Sequence, residues 1–444
     1  MEKKSIVINP RKLSGAVNIP PSKSLSHRGI MCAGLSKTVS VVDNLIYSDD
    51  ISTTIQAMKQ FGMEVLKEEK IGERYKLTLQ NKKIEDFEES GTKMVQMKTA
   101  INCSESGTTI RFMMPFFTFS DEPLTFKGRG RLVERPYETF YKILREKGVA
   151  YETTNGLLPV TIKGELPSGE FKMAGNVSSQ FISGLMLVLP LLKGDSTIEL
   201  TTPLESKGYV DMTVDTSEKF GVEIENRAHE TYLIKGGQTY KGTHYTVEGD
   251  YSQAAFWLVA SCIGNDVLLR GMQPKSLQGD QEILQIIEAL GAEIVWNQDE
   301  LAVGRQSLDG IVVDASQCPD IVPVLTVLLS LARGTSEIIN AGRLRIKESD
   351  RLNAICTELN KMGGNVEEKP EGLVIHGVQG FKGAKVDSWN DHRIAMALAI
   401  AASRADGDVE ITGYESVRKS YPMFWKDYEM LGGQIHGESD WKNF

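Results

Sequence analysis

The chain is 444 residues long, 41% hydrophobic and 25% charged, with a formal net charge of −9 at pH 7. That length exceeds one ordinary core and sets an expectation of two domains of average globular composition. The acidic balance argues against general affinity for nucleic acid or for an anionic membrane surface, so an anionic ligand must meet basic groups concentrated locally.

In chain order, the opening MEKKSIVINP lacks the apolar core of a signal peptide, and a cytoplasmic protein is expected. The next stretch, IPPSKSLSHRG from Ile19 to Gly29, looks like a spoiled phosphate loop. Its Lys-Ser pair fits, but Ser22 stands in place of the last glycine. Pro20 and Pro21 lack the N–H groups with which such a loop cradles phosphate. The stretch instead reads as a polar turn entering a helix, SLSHRGIMCAGLS, that is apolar on nearly every side. Five more helices of this kind follow: SGTTIRFMMPFFTF, SSQFISGLMLVLPLL, YSQAAFWLVASCIG, PDIVPVLTVLLSLARG and NDHRIAMALAIAASR. Such helices belong inside a domain. The longest apolar run, Phe181 to Leu192, is too short to span a membrane.

A second element alternates with these helices. Segments such as NDVLLRGMQPKSLQGDQEILQIIEALGAEI pass from a strand through a polar loop into an amphipathic helix, stop at glycine and start a new strand. The six stops, Gly62, Gly148, Gly221, Gly291, Gly363 and Gly432, recur at roughly seventy-residue spacing. Six units divide into two domains of three, residues 22–246 and residues 1–21 with 247–444. The opening strand SIVINP then joins the last three units, and the chain crosses between domains twice.

This organisation puts polar side chains at the N-termini of buried helices, on one end of each domain. Helix N-termini carry unsatisfied N–H groups and partial positive charge, so two such faces opposed across a hinge would form a cleft for a polyanionic small molecule. Taken singly, each Ser or Asp is as well explained as an N-cap. Caps do not explain the cations at the same points of the repeat: Lys23, Arg28, Arg111, Arg129, Arg131, Arg135, Lys207, Arg343, Arg345, Lys347, Arg351, Arg393, Arg418 and Lys419. Arg offers a planar fork to phosphate and carboxylate, and Lys a point charge. Asp320, Glu348, Asp350 and Asp391 fall in the same loops, where they either orient the cations or move a proton. His392, beside Arg393, favours its neutral form. The five cysteines form no CxxC pair and read as buried reduced thiols, and the six histidines show no metal-ligand spacing.

PPSKSLSHR, SGTTIR, RLVERP, NVSSQF, EGDYS, PD, RIKESDR and NDHRIAMA occur in this order over nearly the whole chain. Together they resemble the 5-enolpyruvylshikimate-3-phosphate synthase family of enolpyruvyl transferases. The resemblance implies an α/β (α+β) fold of two similar domains, each of three βαβαββ units with buried helices, hinged around an interdomain cleft. It implies transfer of the enolpyruvyl group of phosphoenolpyruvate to the 5-hydroxyl of shikimate 3-phosphate, on the shikimate pathway to chorismate and the aromatic amino acids. It implies no metal or organic cofactor, no nucleic-acid or membrane partner, and a monomer. Matched residue by residue, Lys23, Ser24, Arg28, Ser178, Ser179, Gln180, Ser206, Asp320 and Lys347 would hold shikimate 3-phosphate. Lys23, Gly107, Arg131, Gln180, Arg351, Arg393 and Lys419 would surround phosphoenolpyruvate. Asp320 would take the 5-hydroxyl proton, Glu348 and Lys23 would handle the proton at C3, and His392 would donate a hydrogen bond nearby. The first domain would mainly bind shikimate 3-phosphate; the second would supply phosphoenolpyruvate-binding and acid/base residues.

Two positions depart from the family pattern: Glu105 and Arg343 stand where many members have Asn. By the same resemblance, Gly107 would leave room for phosphoenolpyruvate and for glyphosate, of which the family is a target. Two alternatives share the architecture. UDP-N-acetylglucosamine enolpyruvyl transferase needs a loop cysteine, and Cys103 is the nearest by position. An RNA 3′-phosphate cyclase-like enzyme would need His392 as nucleophile.

Overall fold

Pro20 and Pro21 cannot donate to a helical ladder, and the first helix starts just past them: α1 spans Lys23–Gly34. Its repeat partner α2 (Asp49–Gln60) is capped by Ser48, whose side chain accepts the Ile51 N–H. The computed structural model describes residues 4–84, 100–304 and 307–437. It divides into a central unit, Lys23–Val247, and a terminal unit, Met1–Ser22 with Glu248–Phe444.

The central unit continues with α3 (Gly107–Met113), α4 (Glu138–Glu146), α5 (Ser179–Val188) and α6 (Lys207–Lys219). The terminal unit holds α7 (Tyr251–Cys262), α8 (Glu282–Ala289), α9 (Val322–Ser330), α10 (Arg351–Lys361), α11 (His392–Ala402) and α12 (Phe424–Met430). The all-round apolar helices are the inner ones, as their composition requires. Every residue of α9 and α11 is buried, and α7, α9 and α11 pack on one another. Amphipathic α8 buries Ile283, Ile286 and Ile287 and turns its other side outward. The two segments with a proline past their midpoint do not run on as single helices. Pro115 and Pro190 instead sit in 3-10 turns, Met114–Phe119 and Leu189–Leu191, that follow α3 and α5.

Among the described residues are six four-stranded sheets of one design. In the sheet Val312–Asp314, Thr335–Ile339, Gly372–His376, Asn365–Lys369, the first pair is parallel and the next two are antiparallel. Three sheets borrow a strand from far along the chain. His244–Thr246 lies parallel to Ser40–Leu45 and completes the first repeat of the central unit. Ser14–Asn18 lies parallel to Asp266–Arg270, and Ser5–Asn9 lies between Val409–Thr412 and Gln434–Gly437. The opening strand therefore belongs with the last repeat. All six glycine stops have positive φ, from 68° at Gly148 to 110° at Gly62, the left-handed exit that ends a helix without a Cβ clash. Among the described residues, no helix is long and apolar enough to cross a membrane.

Candidate active site

In the terminal unit, four helix starts meet on charged side chains. Arg393, at the head of α11, donates to the Ser252 hydroxyl of α7 at 2.8 Å and to Asp320, just before α9, at 3.1 Å. Arg351, at the head of α10, reaches three carboxylates: Asp320 at 2.9 Å, Glu348 at 2.7 Å and Asp391 at 2.8 Å. Lys347 Nζ lies 3.7 Å from Asp320. Asp391 is wholly buried and caps α11 by accepting the Arg393 N–H, while Ser349 donates to it at 3.0 Å. Burial alone would raise the Asp320 carboxyl, but Arg393, Lys347 and Arg351 hold it well below the usual carboxylate range. Burial lowers the Lys347 ammonium to about 8, against the pull of Asp320. Lys419 donates to the Asn390 carbonyl at 2.7 Å, beside the start of α11.

In the central unit, Lys23 donates to Asp50 of α2 at 2.9 Å. One turn on, His27 begins a buried chain: its Nδ1 lies 2.7 Å from Thr54 Oγ1, which lies 2.6 Å from Thr109 Oγ1, which donates to Ser106 at 2.8 Å. That chain ties α1 and α2 to the cap of α3. Burial, Lys23 and Arg28 hold the His27 imidazole well below its usual range, so it is neutral at pH 7. Gln180 bridges α5 to α3, accepting from Arg111 at 2.9 Å and donating to Thr108 at 2.8 Å. A Cβ on Gly107 would fall 2.3 Å from Arg135 Nη1 and 2.7 Å from Arg111 Nη1, so this glycine lets two guanidinium groups crowd the α3 N-terminus. Ser178 caps α5 by accepting the Gln180 N–H, and Ser206 holds a left-handed φ of 56° at the start of α6.

The sequence model of the family described as EPSP synthase (3-phosphoshikimate 1-carboxyvinyltransferase) matches residues 7–428. The chain belongs to the EPSP synthase family. A 3-phosphoshikimate 1-carboxyvinyltransferase of Clostridium perfringens is 49% identical over 436 residues, covering 98% of this chain and 100% of that one. One from Clostridium novyi is 48% identical over 97% of this chain and 98% of its own. The solved EPSP synthase of Acinetobacter baumannii superposes with a TM-score of 0.77 at 25% identity, over 98% of this chain and 100% of that one.

For an EPSP synthase, the placement of the expected residues is uneven. Asp320, Lys347, Glu348, Arg351 and Arg393 form one interlocked cluster, with His392 buried beside it at 1% exposure. Gln180 and Gly107 adjoin through Arg111 and Thr108. Arg131 is exposed. Arg28 is 1% exposed and donates to Thr213, to the Ser24 carbonyl and to the Tyr209 carbonyl, so in this arrangement it braces α1 against α6. Of the two departures, Glu105 lies 3.7 Å from Arg129, and Arg343 donates to the Ser316 carbonyl. Asp391, which Arg351 ties to the cluster, read from sequence as an acid of open role, and Asp50 went unnoticed. The only signal for Asp50 was a Ser-Asp-Asp helix start.

Proposed function

We infer that this chain transfers the enolpyruvyl group of phosphoenolpyruvate to the 5-hydroxyl of shikimate 3-phosphate. The 5-hydroxyl gives its proton to Asp320 as its oxygen bonds to C2, while C3 gains a proton. The tetrahedral adduct then loses one proton from its C3 methyl group together with inorganic phosphate, leaving an enolpyruvyl ether. The observation that carries this reading is the set of cations held against Asp320 and Asp391 in a chain of this family.

Arg351, Arg393, Lys419, Arg131, Gly107, Gln180 and Lys23 are assigned to phosphoenolpyruvate. Lys23, Ser24, Arg28, Ser178, Ser179, Gln180, Ser206, Asp320 and Lys347 are assigned to shikimate 3-phosphate. Glu348 and Lys23 serve the C3 proton, with His392 as hydrogen-bond donor. The charge balance supports a further step for Asp320. Alone, it is too weak a base, because Arg393, Lys347 and Arg351 suppress its pKa. Anionic substrates compete for those cations, and each cation they engage returns basicity to Asp320. The carboxylate is thereby activated as the reacting hydroxyl arrives. The same reading makes the protein a cytoplasmic monomer, in keeping with free, buried Cys32, Cys103, Cys318 and Cys356.

The test is phosphate release from phosphoenolpyruvate with shikimate 3-phosphate, with UDP-N-acetylglucosamine, and with neither. Release with shikimate 3-phosphate alone is expected. Release with only the nucleotide sugar would overturn the acceptor. Asp320→Asn and Lys23→Met are each expected to lower kcat by at least about 10²-fold, the lower end for acid–base groups. Near wild-type kcat in a folded variant would remove that residue from the mechanism.

A further inference from the structure

The segment Asp387–Asp391 leads into α11 and carries the Asn390 carbonyl that holds Lys419. Its backbone is strained. Trp389 and Asn390 have φ of 55° and 53°, two successive left-handed residues without a glycine. Asn tolerates that region, but a bulky Trp seldom enters it. Such a conformation persists only where the surroundings overdetermine it.

The determinants converge on one helix. Glu358 of α10 is 1% exposed. Its Oε1 accepts the Trp389 indole N–H at 2.8 Å, and its Oε2 accepts the Asp387 backbone N–H at 3.0 Å. Lys361, one turn on, supplies its countercharge at 2.8 Å. Seven residues before Glu358, on the same face of α10, Arg351 grips Asp391. Two turns of helix span about 10 Å. A single rigid element therefore holds the segment at both ends, Asp387 and Trp389 at one and Asp391 at the other. Between them, Ser388 donates to the Gly413 carbonyl at 2.8 Å and accepts the Asn390 N–H at 3.2 Å.

We propose that Glu358 is a positioning residue for the anion-binding end of the terminal unit. It touches no assigned substrate residue, but it fixes the backbone that sets where Lys419 rests and where α11 presents His392 and Arg393. With the Glu358 carboxylate absent, the indole and the Asp387 N–H lose their acceptor, and Trp389 is free to relax toward ordinary φ. The Asn390 carbonyl then swings, and Lys419 moves with it. The inference rests on the assignment of Lys419 and Arg393 to phosphoenolpyruvate. It predicts a loss confined to that substrate.

The experiment compares wild type, Glu358→Ala, Glu358→Gln and Trp389→Phe. Small misplacements far from the chemistry can cost as much as about 10²-fold, so Glu358→Ala should raise the KM for phosphoenolpyruvate about 10-fold or more. The KM for shikimate 3-phosphate should stay within about 2-fold, and Glu358→Gln, which keeps one acceptor, should recover part of the loss. Trp389→Phe keeps an aromatic side chain but removes the pyrrole half of the indole with its N–H donor, so it carries the test if Glu358→Ala does not fold. Its KM for phosphoenolpyruvate should also rise. Amide hydrogen exchange at Trp389, Asn390 and Asp391 should quicken in each folded variant, and this readout is independent of turnover. A lower Tm with unchanged KM values and unchanged exchange there would overturn the inference. Faster exchange in a protein whose wild type shows no turnover would leave the positioning role standing and sink the functional reading instead.

Discussion

Lys347 shows how a side chain's surroundings turn a motif residue into a titrating one. Its ammonium, lowered to about 8 by burial, is only partly charged in the free protein at pH 8.5. The unfolded chain holds that proton up to about 10.4. The unfolded state therefore binds more protons between about pH 8 and 10.4, and this group's contribution to stability rises with pH across that window. Function runs the other way. A bound phosphate ester favours the ammonium, so binding at pH 8.5 must draw a proton from solvent. The ester, with a second pKa of about 6, is already fully ionised there. Titration calorimetry of shikimate 3-phosphate at pH 8.5, in two buffers of different ionisation enthalpy, should show net proton uptake that Lys347→Met abolishes. Identical enthalpies in both buffers for the wild type would refute the assignment. The cations around Lys347 were legible in the sequence because Arg and Lys recur at fixed points of a repeat. Their pairing was not legible. Arg351 meets Asp391 forty residues away and Asp320 thirty-one residues away, and no linear motif records such contacts. The sequence thus leaves open whether each acid orients a cation or moves a proton, and in the structure Asp320, Glu348 and Asp391 all pair with Arg351.

At the scale of elements, the inner helices must approach closely for their N-termini to cooperate. A Cβ on Gly184 of α5 would lie 2.4 Å from the Arg111 carbonyl oxygen of α3. The obstacle is backbone and has nowhere to swing. Gly184→Ala must therefore spread α3 from α5, and overpacking of this kind costs about 1–3 kcal/mol. The spread should also break the Gln180 bridge to Thr108 and Arg111, so activity should fall further than stability accounts for. The check is kcat/KM at a temperature where the variant is still folded. Full activity in a stably folded variant would show that the helix spacing is not what holds the bridge. Helix order and burial were readable from apolar composition, and so were the glycine stops. The truncations of α3 and α5 at Met113 and Val188 were signalled by Pro115 and Pro190, but the unbroken apolar run around each proline masked them. Glu358 carried no signal at all. An acid mid-helix reads as solvated surface until the fold turns it inward.

At the scale of the whole molecule, the chain leaves one unit and returns to it. The two apolar cores share no residue: one runs from Leu25 to Val247, the other from Ile6 to Leu431. Each unit also completes its own sheets, through His244–Thr246 in one and through Ser5–Asn9 and Ser14–Asn18 in the other. Such a unit has what an independently folding domain needs. At the excision point the terminal unit is already stitched: Ser22 donates to the Glu248 carbonyl at 2.8 Å, and Pro21 bridges Gly249. Bridged residues sit about 5 Å apart, so two or three glycines can replace the whole central unit without strain. Residues 23–247 expressed alone, and residues 4–22 joined by such a linker to 248–437, should each give a cooperative thermal transition and a mixed α/β circular dichroism spectrum. The central unit is the sharper test. Its first sheet closes only when His244–Thr246 returns to Ser40–Leu45, so deleting residues 244–247 from the excised unit should lower its Tm or abolish the transition. A cooperative transition that survives that deletion unchanged would mean the returning strand is dispensable. Failure of the intact unit to fold would mean that its stability depends on the rest of the chain.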